Sequence, residues 1–149
     1  MILLHSLQCQ ELLRYTYYYM DCIFCKIVKG EIPSYQVYED ELFLGFLDIF
    51  PLSKGNTLLI PKKHYRWVND VPEFGEYWEA ARKIAQSMEK KLGATSISYL
   101  TFGEEVPHAH IRIIPRYSAD DMYLTLRKPE NYTKEEMKDF QKKLQITNY

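Results

Sequence analysis

Two histidines, His108 and His110, stand two residues apart in the run VPHAHIRIIPR from Val106 to Arg116. In extended chain successive side chains alternate between faces, so both imidazoles share a face with Arg112, while Ala109, Ile111 and Ile113 point the other way and can be buried. An imidazole is largely neutral near pH 7 and serves as a nucleophile, a proton carrier or a metal ligand. Two buried, hydrogen-bonded histidines without chemistry are the bland alternative. A second grouping changes that balance. Cys22-Ile-Phe-Cys25 has the spacing that lets two thiolates of one turn reach a single metal, and His64 and His108 would complete a Cys₂His₂ set. Four protein ligands would close a tetrahedral Zn²⁺ site and make the ion structural. A pair of small buried residues and a redox pair are the alternatives for the cysteines; the redox reading lacks a surrounding βαβ pattern.

These residues need elements to hold them. Tyr35 to Tyr38 and Leu42 to Ile49 are β-prone runs separated by the turn-like Glu39-Asp40-Glu41, which predicts a hairpin. Asn56 to Ile60 is a third strand, ended by Pro61. From Pro72 to Leu92 the period becomes helical: Phe74, Tyr77, Trp78, Ala81, Ile84, Ala85, Met88 and Leu92 recur at three- and four-residue steps, with Gly93 just past the end. Two strands follow, near Ser96 to Thr101 and near His108 to Pro115. Thr133 and Glu136 then form a capping-box pattern ahead of Met137, Phe140 and Leu144, which predicts a last short helix. The expected class is α+β: a mainly antiparallel sheet with one long helix and a C-terminal helix.

The chain has 149 residues, enough for one domain with a sizeable core and no disulfide staples. Hydrophobic residues make up 46% and charged residues 26%, which excludes a disordered or membrane-embedded class. Nineteen basic against 20 acidic side chains give a formal charge of -1, so no charge excess points to nucleic acid or to an anionic membrane. Three cysteines are too few for a secreted framework, and a reducing, cytoplasmic setting is expected. Residues 1–19 are irregular, with the regular pattern starting at Met20. Met20 is therefore a candidate start, with 1–19 an extension and 20–149 a single domain; a short N-terminal helix docked on the domain is the alternative.

With these pieces assembled, the sequence resembles the histidine-triad (HIT) superfamily of nucleotide hydrolases and transferases. The matching text is DCIFCKIVKGEIPSYQVYEDE from Asp21 to Glu41, FLDI from Phe46 to Ile49, LLIPKKHY from Leu58 to Tyr65, and VPHAHIRIIPR from Val106 to Arg116. The resemblance implies a purine nucleotide or nucleotide conjugate as ligand and His110 as the nucleophile that attacks the α-phosphorus to form a nucleotidyl-histidine. It implies that His108 supports the nucleophile and, in CxxC-bearing members, binds the zinc with Cys22, Cys25 and His64. Asp48 matches the acidic residue that takes the ribose hydroxyls, and Phe46, Ile49 and Ile27 match positions lining the base pocket; core packing is the plainer reading for all three. It also implies a homodimer paired through the long helix and an adjoining strand, where Phe74, Tyr77, Trp78, Ala81 and Met88 offer more apolar face than a small sheet covers.

The departures matter as much. Arg112 replaces the third histidine, so a group that can bind phosphate bidentately stands where one able to exchange a proton is usual. Glu104 stands where many members carry Gln, placing a carboxylate near bound phosphate, and the loop before the motif is shortened to Leu-Thr-Phe-Gly. Lys62, Lys63, Arg66 and Arg116 would add positive potential, unless they are simply a solvated face. Two functions remain open: a hydrolase or nucleotidyl transferase acting on dinucleoside polyphosphates, nucleoside phosphoramidates or related adenylates, and a non-catalytic nucleotide-binding module. A small zinc-stabilised nucleic-acid binder is disfavoured by the balanced charge.

Overall fold

Strands of four to six residues form one five-stranded sheet with spatial order β1-β2-β3-β5-β4, and every neighbouring pair is antiparallel. The strands are β1 (Gln36–Glu39), β2 (Phe43–Leu47), β3 (Thr57–Pro61), β4 (Ser96–Leu100) and β5 (Ile111–Arg116); the helices are α1 (Ile23–Val28), α2 (Phe74–Leu92) and α3 (Lys134–Leu144), with a 3₁₀ turn at Val68–Asp70. The computed structural model describes residues 22–118 and 130–146, so residues 1–19 and the boundary at Met20 lie outside the described residues. Among the described residues no helix is long and apolar enough to cross a membrane.

The α+β expectation holds, with adjusted ends. The β1–β2 hairpin turns where Asp40 Oδ1 accepts the N–H groups of Leu42 and Phe43 at 2.9 and 2.7 Å, a side chain standing in for the ladder. β2 stops at Leu47, short of Ile49, because Asp48 Oδ1 accepts the Phe50 N–H at 2.9 Å and bends the chain toward Pro51. Helix α2 begins two residues after Pro72, and Gly93 ends it in the left-handed region at φ 73°, which glycine enters without a Cβ penalty. Thr133 and Glu136 form the reciprocal cap expected for α3. β5 begins at Ile111 rather than at His108: the Ala109 N–H goes to Tyr65 O at 2.7 Å, so the histidine segment is tied to the chain after β3 before the ladder starts.

The sheet separates two cores, and the register shows how. Leu59 faces Ile111 across β3–β5, and both belong to the large core closed by α2 and α3 with Phe43, Leu47, Tyr77, Ile84, Met88 and Ile113. Leu58, one residue earlier, faces Arg112 and belongs to the smaller core with Phe24, Ile27, Leu44, Phe46 and Ile60. Period-2 alternation therefore puts β5's odd-numbered isoleucines behind the sheet and leaves Arg112 on the face covered by α1. Tyr77 anchors α2 to this frame: wholly buried and stacked on Phe43 at 4.9 Å, it donates its hydroxyl to Leu59 O at 2.6 Å.

Candidate active site and metal centre

Cys22 and Cys25 bracket the first turn of α1, which lays them against the segments that carry His64 and His108. All four side chains are buried, and their ligating atoms lie within 4.8 Å of one another. Cys22 Sγ is 3.4 Å and Cys25 Sγ 3.5 Å from His108 Nδ1, and Cys25 Sγ is 3.3 Å from His64 Nδ1. Thiolate and imidazole ligands held tetrahedrally at about 2.3 and 2.0–2.1 Å from one ion would stand about 3.6 Å apart, so these separations fit a shared metal.

The chemistry of the donors agrees. His108 Nε2 lies 2.9 Å from Pro61 O, and since a carbonyl only accepts, that nitrogen carries the proton and Nδ1 presents its lone pair to the cysteines. Burial holds both His64 and His108 below the usual imidazole range, His108 at about 4, so both are neutral ligands at pH 7. Burial, reinforced by Cys22, pushes the Cys25 thiol up to about 12. A cation among the four groups is what would let the thiolates exist there. A redox pair needs a low thiol pKa, and the raised Cys25 value runs against it.

His110 follows on the same face. Its Nδ1 donates to His108 O at 2.8 Å, which fixes the tautomer and leaves Nε2 with a free lone pair. Burial first, and Arg112 after it, lower its pKa; the hydrogen bond to His108 O, and after it Asp48 and Glu105, pull the other way without reversing the shift. The ring is therefore neutral at pH 7. Phe24 lies edge-on to His110 at 5.4 Å, to His108 at 5.8 Å and to Phe46 at 5.6 Å. In the sequence, the only signal for Phe24 is its place between Cys22 and Cys25.

Asp48 and Arg112 meet directly. Asp48 is 4% exposed, and its Oδ2 lies 3.0 Å from an Arg112 guanidinium nitrogen, close enough for an ion pair but without an aligned hydrogen bond. Arg112 is thus turned toward the carboxylate. Phe46 and Ile27 pack in the small core beside the metal group. Ile49 is 68% exposed and stands outside that cluster, beside Tyr35, Tyr132 and Met137. Glu104 is exposed on the loop before the histidines, and the carboxylate acting on His110 from that loop belongs to Glu105. The loop itself is clamped: Arg66 donates to Gly103 O at 2.5 Å while stacking 3.8 Å over Trp67, and a Cβ on Gly103 would come within 2.9 Å of the Trp67 ring. Lys62 is engaged by Glu39 at 2.8 Å. Arg66 and Lys62 thus have structural partners.

Two open hollows lie away from this group, one of about 560 Å³ between the β1–β2 turn and α2, another of about 130 Å³ beside Ile49. Neither is lined by His110, which is itself buried.

Comparison with known proteins agrees with this arrangement. The HIT domain family matches residues 29–119. A HIT-like protein of Methanocaldococcus jannaschii is 45% identical over 106 residues, 66% of this chain and 81% of that protein. An adenylylsulfatase of Arabidopsis thaliana is 36% identical over 110 residues, 69% of this chain and 56% of the relative. An adenosine 5′-monophosphoramidase of Saccharomyces cerevisiae is 37% identical over 100 residues, 64% of this chain and 62% of the relative. Among solved structures, a zinc-bound histidine triad protein of Mycobacterium smegmatis superposes with a TM-score of 0.69 at 33% identity, over 84% of this chain and 94% of its own. The fold, the grouped histidines and these likenesses agree: the chain belongs to the HIT family.

Proposed function

We propose that the protein is a nucleotide hydrolase or nucleotidyl transferase that works at the α-phosphate of an adenylate through a nucleotidyl-histidine on His110. The observation that carries this reading is the hydrogen bond from His110 Nδ1 to His108 O at 2.8 Å, which leaves Nε2 as a lone pair on a neutral ring. Nε2 attacks the α-phosphorus, a P–N bond forms, and the bond from phosphorus to the leaving group breaks with its electron pair going to that group. Water then attacks the same phosphorus, the P–N bond breaks back onto Nε2, and a nucleoside monophosphate is released. Relatives named as acting on adenylyl sulfate and on adenosine 5′-monophosphoramidate support the substrate class.

Arg112 narrows that class. A guanidinium stabilises charge on phosphoryl oxygens but does not give up a proton near neutral pH. Leaving groups that depart as weakly basic anions, such as sulfate, are therefore favoured over amines that need protonation. We further propose that Zn²⁺ is the ion held by Cys22, Cys25, His64 and His108, a reading supported by the donor set and by the zinc-bound relative. Its part is structural: four protein ligands leave no open position, and fixing His108 fixes the carbonyl that orients His110.

The test is turnover of adenylyl sulfate, adenosine 5′-monophosphoramidate and diadenosine polyphosphates, read by nucleotide chromatography, with wild type and His110→Ala. AMP release by wild type, fastest from adenylyl sulfate and lost in His110→Ala, is expected. Tight AMP binding without turnover of any of them would leave a nucleotide-binding module in place of an enzyme.

A further inference from the structure

Asp48 presents an uncommon arrangement. One carboxylate oxygen, Oδ1, is used by the Phe50 N–H, while Oδ2 is buried and faces Arg112 at 3.0 Å without an aligned hydrogen bond. Buried carboxylate oxygens are ordinarily satisfied, because their desolvation is costly. Here the attraction is Coulombic and both partners keep unused hydrogen-bonding capacity. A carboxylate accepts from the vicinal hydroxyls of a ribose, and a guanidinium fork takes two oxygens of a phosphate. Arg112, 25% exposed at its side chain, can turn toward an incoming anion, whereas Asp48, fixed at the end of β2, cannot follow it.

We propose that Asp48 and Arg112 form a clasp that a nucleotide's phosphate opens: Arg112 exchanges Asp48 for the phosphate, and the freed Asp48 takes the ribose hydroxyls. The proposal rests on the nucleotide reading of this site and adds a specificity rule to it. A nucleoside without phosphate has to displace Arg112 with nothing to receive the guanidinium. Inorganic phosphate has to draw Arg112 away and leaves Asp48 buried and unpaired. Only a ligand carrying both groups satisfies both partners, so sugar and phosphate recognition are coupled.

Titrations of the full chain with adenosine, AMP and inorganic phosphate, followed by NMR chemical shifts into the millimolar range, separate the outcomes. Arg112→Ala is expected to weaken AMP about tenfold or more while tightening adenosine severalfold, because Asp48 no longer has a competitor. Asp48→Asn is expected to do the opposite for the fragments, weakening adenosine and tightening phosphate. Arg112→Gln, which keeps the side chain's bulk and a donor, should follow Arg112→Ala in direction and serves if the alanine variant does not fold. Adenosine affinity unchanged or weakened in both Arg112 variants overturns the clasp while leaving nucleotide binding intact. A wild type that binds none of the three ligands overturns the nucleotide reading and the clasp together.

Discussion

His110 carries the largest single consequence of its surroundings. Its pKa is held below the ordinary imidazole value of 6.5, chiefly by burial, with Arg112 adding to the effect. With the neutral ring as the proposed nucleophile, activity is expected to fall as pH drops through that lowered value. Arg112→Ala removes a neighbouring positive charge and unmasks Asp48; both changes raise the His110 pKa, so the acid limb of kcat/KM moves to higher pH. A pH–rate profile of the two proteins checks the sign, and a limb that stays fixed or moves down would contradict this electrostatic account. The paired histidines and their shared face with Arg112 are legible in the sequence because alternation is local. The Arg112–Asp48 contact is not, since it depends on the end of β2 and the start of β5 meeting across β3. Phe24 is hidden for the same reason: its value lies in which rings it meets.

At the scale of elements, α1 is the weakest piece by its own resources. It has six residues, no side-chain N-cap bond and no acidic residue in its first turn, far below the length at which an isolated helix is stable. What holds it is the small core and the cluster of Cys22, Cys25, His64 and His108, which is placed to hold a metal. With the proposed ion bound there, a chelator should lower the melting temperature by several degrees and loosen α1 first, seen as faster amide exchange at Cys25 to Val28. Unchanged stability with complete metal removal would show that the four residues are only packed. Helix α3 is the opposite case, with its start written in sequence. Thr133 accepts the Glu136 N–H at 3.2 Å and Glu136 returns the bond at 2.7 Å, so Thr133→Ala should cost about 1 kcal/mol in denaturant unfolding. The start of β5 was less legible, because the Ala109 to Tyr65 bond that delays it joins segments remote in sequence.

At the scale of the whole molecule, one face of the described residues is left exposed. β4 is the outer strand of the sheet, and its Tyr99 is 40% exposed beside Trp78 at 5.5 Å, which in turn lies 6.2 Å from Phe74, itself 44% exposed. The helical period of α2 is legible in the sequence, but its apolar face is not all in excess: Tyr77, Ala81 and Met88 are fully buried in the core and Trp78 packs partly buried against it, which leaves Phe74 exposed. We propose that a second copy covers this aromatic row. Sedimentation should then show a dimer, and Phe74→Glu, at an exposed position, should shift it toward monomer without unfolding; a wild type of single-chain mass at micromolar concentration would contradict it. The proposed function depends on covalent chemistry at one nitrogen, His110 Nε2. Mixing the protein with a slow adenylate substrate, quenching and measuring intact mass tests this most directly: an increase of one adenylyl group, mapped to His110 and missing in His110→Ala, is the predicted result. Turnover of the same substrate with no adduct at any quench time, or an adduct that persists in His110→Ala, would contradict it.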